Sequence, residues 1–133
     1  MIDKSVADLM HDGVVSCPLD TPMPEVARQM TQADISAIVV VDHEGCLAGV
    51  ISRTDLAVLY GYDEMWPHLQ AGQAMTGKVH TVSATTPATE AARQIHQYKV
   101  SRLIVTEPVV NSEKERPIGV LSITDIVRTM ATY

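Results

Sequence analysis

The chain has 133 residues, of which 46% are hydrophobic and 20% charged, proportions typical of one globular domain with a single core. Ten basic against 16 acidic residues give a formal net charge of −6 without a basic cluster, which argues against binding to nucleic acid. No apolar run approaches the roughly 20 residues that span a bilayer, and the N-terminus lacks a signal-peptide pattern, so we expect a cytoplasmic protein that does not bind membranes.

Cysteine and histidine usage predicts no metal site and no disulfide. Cys17 and Cys46 are far apart in the chain and form no Cys-x-x-Cys pattern, so we expect reduced, buried thiols. None of the five histidines pairs with another at a metal-site spacing such as His-x-x-x-His.

The sequence contains two copies of one pattern. Met10 matches Met75 at an offset of 65 residues, and after an insertion of five residues the stretch 49–55 matches 119–125. Two copies, in contrast to a long array, predict a pseudo-two-fold pair. The predicted division is residues 1–62 for repeat 1, 63–72 for a linker and 73–133 for repeat 2.

Each copy begins with elements that predict a strand and a helix. A short amphipathic lead-in (residues 5–10 and 71–75) precedes a short strand (14–17 and 79–82). A Thr-Pro pair follows, which predicts a helix with Thr as its N-cap and Pro at its first position. Apolar residues at helical spacing predict that one face of this helix is buried.

The middle of each copy predicts a pair of strands. Residues 38–41 and 103–105 are aliphatic runs without alternation, as in strands covered on both faces. Residues 42–46 predict a tight turn at Gly, whereas the longer, charged stretch 107–117 predicts a mobile surface loop. The predicted fold class is α/β (α+β), with two β-α-β-β-α repeats and right-handed crossovers.

The stretch that closes each copy predicts a strand that runs directly into a helix. Its sequence is Gly-Val-Ile-Ser-Arg-Thr-Asp at 49–55 and Gly-Val-Leu-Ser-Ile-Thr-Asp at 119–125, with Thr54 or Thr124 as the expected N-cap. Free backbone N–H groups and the helix dipole favour a phosphate there, and the Asp suits the diol of a ribose. The alternative is that Ser-x-Thr-Asp only caps the helix.

The closing helices are predicted at residues 55–60 and 125–131. Residues 60–72 join the two copies and contain the one tryptophan, Trp66. The sequence leaves open whether Trp66 packs over the seam between the repeats or lies in a dimer contact.

Two such units, each closed by Gly-hydrophobic-hydrophobic-Ser-x-Thr-Asp, resemble a tandem pair of cystathionine-β-synthase (CBS) domains, a Bateman module. The resemblance covers about residues 6–130 and includes the Thr-Pro helix start and the Met before the first strand. Residues 100–105 resemble the second-strand pattern of the family, with Ile104 where Pro is usual. Ala37 in the first copy stands where Arg102 stands in the second.

The resemblance implies a regulatory module without catalytic activity, which senses AMP, ADP, ATP, S-adenosylmethionine or NAD in two clefts between the repeats. In such proteins the Asp of the closing motif holds the ribose hydroxyls, the preceding Ser and Thr meet phosphate, and the first strand and the segment before the second surround the adenine. The residues implied for one cleft are Ser122, Thr124, Asp125, Val79, His80, Thr81 and Arg102, and those for the other are Ser52, Thr54, Asp55, Val14, Val15, Ser16 and Ala37.

The two clefts are expected to differ in affinity. Arg102 offers a charge-assisted contact to phosphate and Ala37 does not, so the Asp125 cleft is expected to bind phosphorylated nucleotides better. The nucleotide is a regulatory ligand, no cofactor is required, and a partner protein in trans would respond to it.

Two other functions remain open. One is a ligand-independent dimerisation or assembly module that uses apolar faces of the closing helices, and a homodimer is expected in either case. The other is a small enzyme such as a nucleotide hydrolase, for which the sequence lacks a Gly-rich P-loop, a carboxylate metal cluster and a Ser-His pair in motif context.

Overall fold

The computed structural model describes residues 4–133. In chain order, its elements are α1 (Val6–Leu9), β1 (His11–Asp12), β2 (Ser16–Pro18), α2 (Met23–Ala33), β3 (Ala37–Val41), β4 (Leu47–Ser52), α3 (Arg53–Tyr62), a 3-10 turn (Trp66–His68), α4 (Ala71–Ala74), β5 (Thr81–Ser83), α5 (Ala88–Tyr98), β6 (Arg102–Pro108), β7 (Glu115–Ser122) and α6 (Ile123–Met130). The mixed α+β class predicted from the sequence is confirmed.

The chain divides into two compact units. Unit 2 is Val15–Lys78, and unit 1 combines the N-terminal stretch that ends at Val14 with Val79–Tyr133. Unit 2 has a sheet of order β2-β3-β4, and unit 1 has a sheet of order β1-β7-β6-β5. Each sheet has one parallel pair, β2 with β3 in unit 2 and β5 with β6 in unit 1, and the remaining pairs are antiparallel.

The lead-in of each repeat packs in the unit that the other repeat builds. In unit 1, β1 pairs with β7, and the Val6 N–H donates to the Thr86 carbonyl at 2.8 Å. In unit 2, the Ala71 N–H donates to the Thr21 carbonyl at 2.8 Å. The structural units therefore differ from the sequence repeats, because each unit contains the lead-in that precedes the other repeat's first strand.

Each unit has its own hydrophobic core. The unit 2 core contains Cys17, Met23, Val26, Met30, Ile38, Val40, Ile51 and Ala71, and the unit 1 core contains Val6, Val82, Ala91, Ile95, Leu103, Val105 and Leu121. Residues 38–40 and 103–105 are buried throughout, which confirms the prediction of strands covered on both faces. Trp66 packs against the unit 2 core, with its ring centroid 6.2 Å from that of Tyr60.

The Thr-Pro pairs start their helices one residue later than predicted. Pro22 and Pro87 are themselves the N-caps of α2 and α5, not the first helical residues. Both prolines form isolated antiparallel bridges with a lead-in, Pro22 with Gln70 and Pro87 with Ser5. This pairing keeps the proline backbone extended, so the helix begins after it.

The predicted mobile loop at residues 107–117 is shorter than expected, because both of its ends belong to the β6–β7 hairpin. Pro108 lies opposite Glu115 in the antiparallel ladder, and the Val109 N–H donates to the Lys114 carbonyl at 3.1 Å. Four of the five inserted residues therefore lengthen the two paired strands and one lengthens the turn, so the loop is confined to residues 109–114 of the predicted range.

The turn between β3 and β4 is tight, as predicted. The Asp42 carbonyl accepts the Gly45 N–H at 3.0 Å, and Asp42 Oδ1 accepts the N–H groups of Glu44 and Cys46. Gly45 has φ +77°, a conformation that favours glycine.

Both cysteines are free and buried, as expected from the sequence. Burial raises the pKa of the Cys17 thiol, and a hydrogen bond with Thr21 offsets part of this effect. Because the thiolate is the reactive form, Cys17 is poorly reactive in the folded chain. No helix within residues 4–133 is long and apolar enough to cross a membrane.

Candidate functional site

In unit 2, the candidate residues meet at one end of the sheet. β2 and β3 are parallel with Ser16 opposite Val39, whereas β3 and β4 are antiparallel with Ala37 opposite Ser52. The starts of β2 and β3 and the end of β4 thus lie at the same end of the sheet, where α3 begins. This end of the sheet brings together Val15, Ser16, Ala37, Ser52, Thr54 and Asp55. Val14 is assigned to unit 1 and comes just before Val15 in the chain.

The same arrangement occurs in unit 1. The His80 carbonyl accepts the Ile104 N–H at 3.1 Å, and Arg102 lies opposite Ser122 in the β6–β7 ladder. The sheet end where α6 begins therefore brings together Val79, His80, Thr81, Arg102, Ser122, Thr124 and Asp125.

Serine, not threonine, caps the helix at both sites. Ser52 Oγ accepts the Asp55 N–H at 3.1 Å, and the Ser52 N–H donates to Asp55 Oδ2 at 2.8 Å. The corresponding distances between Ser122 and Asp125 are 3.2 and 2.9 Å. This reciprocal pair is a capping box with Asp at the third helical position. The predicted Thr N-caps were therefore wrong, and α3 and α6 begin two residues before the predicted starts.

The capping box satisfies most of the N–H groups that the sequence predicted to be free. The backbone N–H groups of the N-cap serine and of the aspartate at the third helical position donate hydrogen bonds within the capping box. The N–H of the first position donates to a carbonyl, from Arg53 to Ser36 at 2.9 Å and from Ile123 to Ser101 at 3.0 Å. Within the described part of the chain, only the second position, a threonine in each unit, keeps a free N–H at the helix start.

Each helix start therefore presents a small set of outward polar atoms. In unit 2 these are the N–H and hydroxyl of Thr54 and the Oδ1 atom of Asp55, none of which has a protein partner among residues 4–133. The N–H and hydroxyl can donate to an anion, and the carboxylate oxygen can accept from a hydroxyl. Both sites thus offer donors and an acceptor on adjacent residues.

The charges around the two sites differ. In unit 1, Arg128 Nη1 lies 3.4 Å from Asp125 Oδ1, whereas Val58 occupies the matching position of unit 2. Arg102 likewise has Ala37 as its counterpart. The Arg53 side chain of unit 2 is held by Asp34 Oδ1 at 3.0 Å. The unit 1 site therefore has two arginines at positions where the unit 2 site has apolar residues.

Tyr98 is a residue of the unit 1 site that the sequence did not indicate. Its ring stacks on that of His80, with centroids 4.2 Å apart and an interplanar angle of 12°. The matching positions in unit 2 are Ala33 and Val15, so no equivalent stack is possible there. Nothing in the sequence around a tyrosine near the end of an amphipathic helix indicates that its ring stacks on a residue distant in the sequence.

The structure offers no metal centre within residues 4–133, since no three His, Cys, Asp or Glu side chains are grouped to hold an ion. Surface grooves of about 560 Å³ beside α5 and α6 and about 290 Å³ beside α2 and α3 are lined by other residues. Each groove reaches the first residue of a closing helix, Ile123 or Arg53, but neither has Asp55 or Asp125 in its lining.

A sheet that ends at a capped helix start, built twice from one repeated sequence, defines a paired-repeat module. The family model of the CBS domain matches residues 6–61 and again 71–132. The chain therefore belongs to the CBS domain family, and the resemblance inferred from the sequence is confirmed.

Solved structures share this fold. The CBS domain pair of protein MJ0100, in complex with 5′-methylthioadenosine and S-adenosyl-L-methionine, has a TM-score of 0.85 and 21% identity and matches 98% of each chain. The cytosolic domain of the Mg²⁺ channel MgtE, in complex with ATP, has a TM-score of 0.78 and 28% identity over 95% of this chain and 48% of its own.

Among curated relatives, the arabinose 5-phosphate isomerase KdsD of Pseudomonas aeruginosa is 31% identical over 127 residues, which are 92% of this chain and 37% of the isomerase. The chain spans about a third of the length of the isomerases that it matches.

Proposed function

We propose that this chain is a cytoplasmic regulatory module that binds an adenosine-containing ligand and transmits binding to a protein partner in trans. The observation that carries the proposal is the set of polar atoms that take no part in the capping box at each helix start, of which Asp125 Oδ1 is in contact with Arg128. The adenosine ligands and ATP bound by the structural neighbours support an adenosine ligand here.

The free atoms suit distinct parts of such a ligand. Ribose hydroxyls would donate to the outward Oδ1 of Asp55 or Asp125, while a phosphate would accept from the N–H and hydroxyl of the preceding threonine. The adenine would lie against the start of the first strand, at Val15 and Ser16 or at His80 and Thr81. Arg102 gives the unit 1 site the higher affinity for phosphorylated ligands.

The module regulates and does not catalyse. Of the two hydroxyl groups at this helix start, that of Ser122 is engaged in the cap, where Oγ donates to Asp125 Oδ2 at 3.0 Å and accepts the Asp125 N–H. A ligand acts on a partner through the difference between its affinities for two conformations of the module.

Titration calorimetry with AMP, ADP, ATP, S-adenosylmethionine and NAD tests the proposal. We expect a micromolar dissociation constant, about −8 kcal/mol, for at least one ligand. Asp125→Asn, Asp55→Asn or both should weaken binding of that ligand at least tenfold. The oxygen of the asparagine amide can still accept the serine N–H in the cap, whereas its NH₂ group stands in place of the Oδ1 acceptor and cannot accept from a ribose hydroxyl.

The control is Asp8→Asn, which alters a capping box at the start of α1, where Asp8 Oδ2 accepts the Ser5 N–H at 2.8 Å. Affinity should not change in this variant. Failure of every ligand to bind, or binding that survives both aspartate substitutions, would refute the proposed site.

The apolar surface of α6 favours homodimerisation, the basis of the alternative function as an assembly module. Ile123, Val127 and Met130 are 47%, 56% and 65% exposed and follow one another at helical spacing. They lie next to the larger groove, whose lining is mostly aliphatic. A second copy of this chain, placed with its own α6 against this stripe, would bury these side chains in a two-fold interface.

Sedimentation analysis should therefore show a dimer that Val127→Asp converts to a monomer. Val110→Asp provides the matched control, because Val110 is 84% exposed at the tip of the β6–β7 hairpin and its substitution should leave the mass unchanged. A wild-type monomer at high concentration, or a Val127→Asp dimer, would contradict the interface.

A further inference from the structure

Asp125 has one oxygen left for a ligand, and Arg128 covers it. Asp125 Oδ2 accepts the N–H and hydroxyl of Ser122 at 2.9 and 3.0 Å. Oδ1 lies 3.4 Å from Arg128 Nη1. The Asp125 side chain is only 11% exposed, whereas that of Arg128 is 72% exposed. A hydroxyl that donates to Asp125 Oδ1 therefore competes with the guanidinium group of Arg128.

Unit 2 has the same cap without this cover. Ser52 and Asp55 form the same reciprocal hydrogen bonds, and Val58 stands where Arg128 stands in unit 1. Within residues 4–133, Asp55 Oδ1 has no protein partner. The two sites thus share their capping geometry, and Arg128 is the cation in contact with the aspartate that unit 2 lacks.

We propose that Arg128 makes the unit 1 site selective for phosphorylated adenosine ligands over neutral ones. This inference rests on the proposed function of the site. A ribose must separate Arg128 from Asp125 before its hydroxyls can donate to Oδ1. A neutral nucleoside offers the released guanidinium no new partner, whereas a phosphate offers a charge-assisted one.

The position of Arg128 permits this exchange. Its side chain is 72% exposed, and among residues 4–133 its one ion pair is the 3.4 Å contact with Asp125, so most of the side chain can turn away through solvent. The unit 2 site has no such cation and would accept neutral and charged adenosine ligands with similar affinity.

A purely structural role makes a different prediction. Arg128 lies in the last turn of α6, where a cation interacts favourably with the helix dipole, and an exposed pair three residues apart contributes little stability. In that case its replacement would shift the unfolding temperature slightly and leave ligand preference unchanged.

The test compares adenosine with AMP by calorimetry in an Asp55→Asn background, so that unit 1 alone reports. Arg128→Val, which copies unit 2, should strengthen adenosine binding about threefold and weaken AMP binding about fivefold, as expected for a surface ion pair. The ratio of AMP to adenosine affinity should fall about fifteenfold, and Arg128→Lys should restore most of it.

The reciprocal variant introduces the cation in unit 2. Val58→Arg in an Asp125→Asn background should raise the ratio of AMP to adenosine affinity several-fold. A ratio that Arg128→Val leaves unchanged, or binding confined to unit 2, would overturn the role of Arg128 while the proposed function stands. Failure of both probes and of all other adenosine ligands to bind the wild-type chain would overturn both.

Discussion

Val6→Asp is expected to destabilise unit 1 far more than unit 2, although Val6 lies at the start of the first repeat. Val6 is 0% exposed and belongs to the unit 1 core. A carboxylate there would have no compensating charge, at a cost of about 3–5 kcal/mol of folding free energy. Most of the structure lost would therefore come from the second repeat.

Ala71→Asp should have the opposite effect. Ala71 is the counterpart of Val6 in the second repeat, is also 0% exposed, and lies in the unit 2 core. Hydrogen exchange measured by mass spectrometry would separate the two results, because β6 and β7 report on unit 1 and β3 and β4 on unit 2. Val110→Asp controls for the added charge. Loss of protection mainly in β3 and β4 of Val6→Asp would contradict the exchange of lead-ins.

Sequence patterns predicted the elements because those patterns are local. The unbroken aliphatic runs and helical spacings mark buried strands and helix faces wherever those elements pack. The repeat predicted two similar units, and the closing motif located both helix starts to within two residues. The strands at residues 38–41 and 103–105 and the buried faces of α2 and α5 were predicted correctly on this basis.

The exchange of lead-ins could not be predicted, because it depends on long-range pairing. A four-residue helix such as α1 has too few side chains to specify which core it joins. The bridges that position the two lead-ins, Ser5 with Pro87 for α1 and Pro22 with Gln70 for α4, connect distant parts of the chain. The same pairing delays α2 and α5 by one residue, an effect that the preference for Pro at the first helical position does not include.

At the candidate site, the sequence identified the residues but not their bonds. Ser-x-Thr-Asp allows either Ser or Thr to cap, and the Asp at the third helical position decides in favour of Ser through its reciprocal bond. Charge alone did not indicate that Arg128 contacts Asp125. Ligand contacts of the predicted residues remain predictions, which the aspartate and arginine variants test.

Gly49→Ala and Gly119→Ala are each expected to destabilise the chain by about 1–3 kcal/mol, the usual cost of overpacking. A Cβ at Gly49 would lie 2.5 Å from Met75 Sδ and 2.8 Å from the Thr76 carbonyl oxygen. At Gly119 it would lie 2.8 Å from the His11 carbonyl oxygen and 2.9 Å from Met10 Sδ. In both cases the lead-in of the other repeat must move away from the strand.

Gly61→Ala is the matched control for thermal and denaturant unfolding. Gly61 lies in α3, and a Cβ there meets no atom within 4 Å, so its substitution should cost nothing or add up to about 1 kcal/mol of stability. If Gly49→Ala were as stable as Gly61→Ala, the close approach of the lead-in would be refuted.

Met75→Ala combined with Gly49→Ala should recover only part of the loss. The shorter side chain at position 75 removes the clash between the new Cβ and the Met75 sulfur. The clash with the Thr76 carbonyl oxygen remains, because this oxygen belongs to the backbone and its position is fixed by the bridge to Val50. The recurrence of Met and Gly at matching positions of the two repeats therefore has one physical cause. Each Met packs on the Gly of the other repeat, and the pair marks where a lead-in crosses a strand.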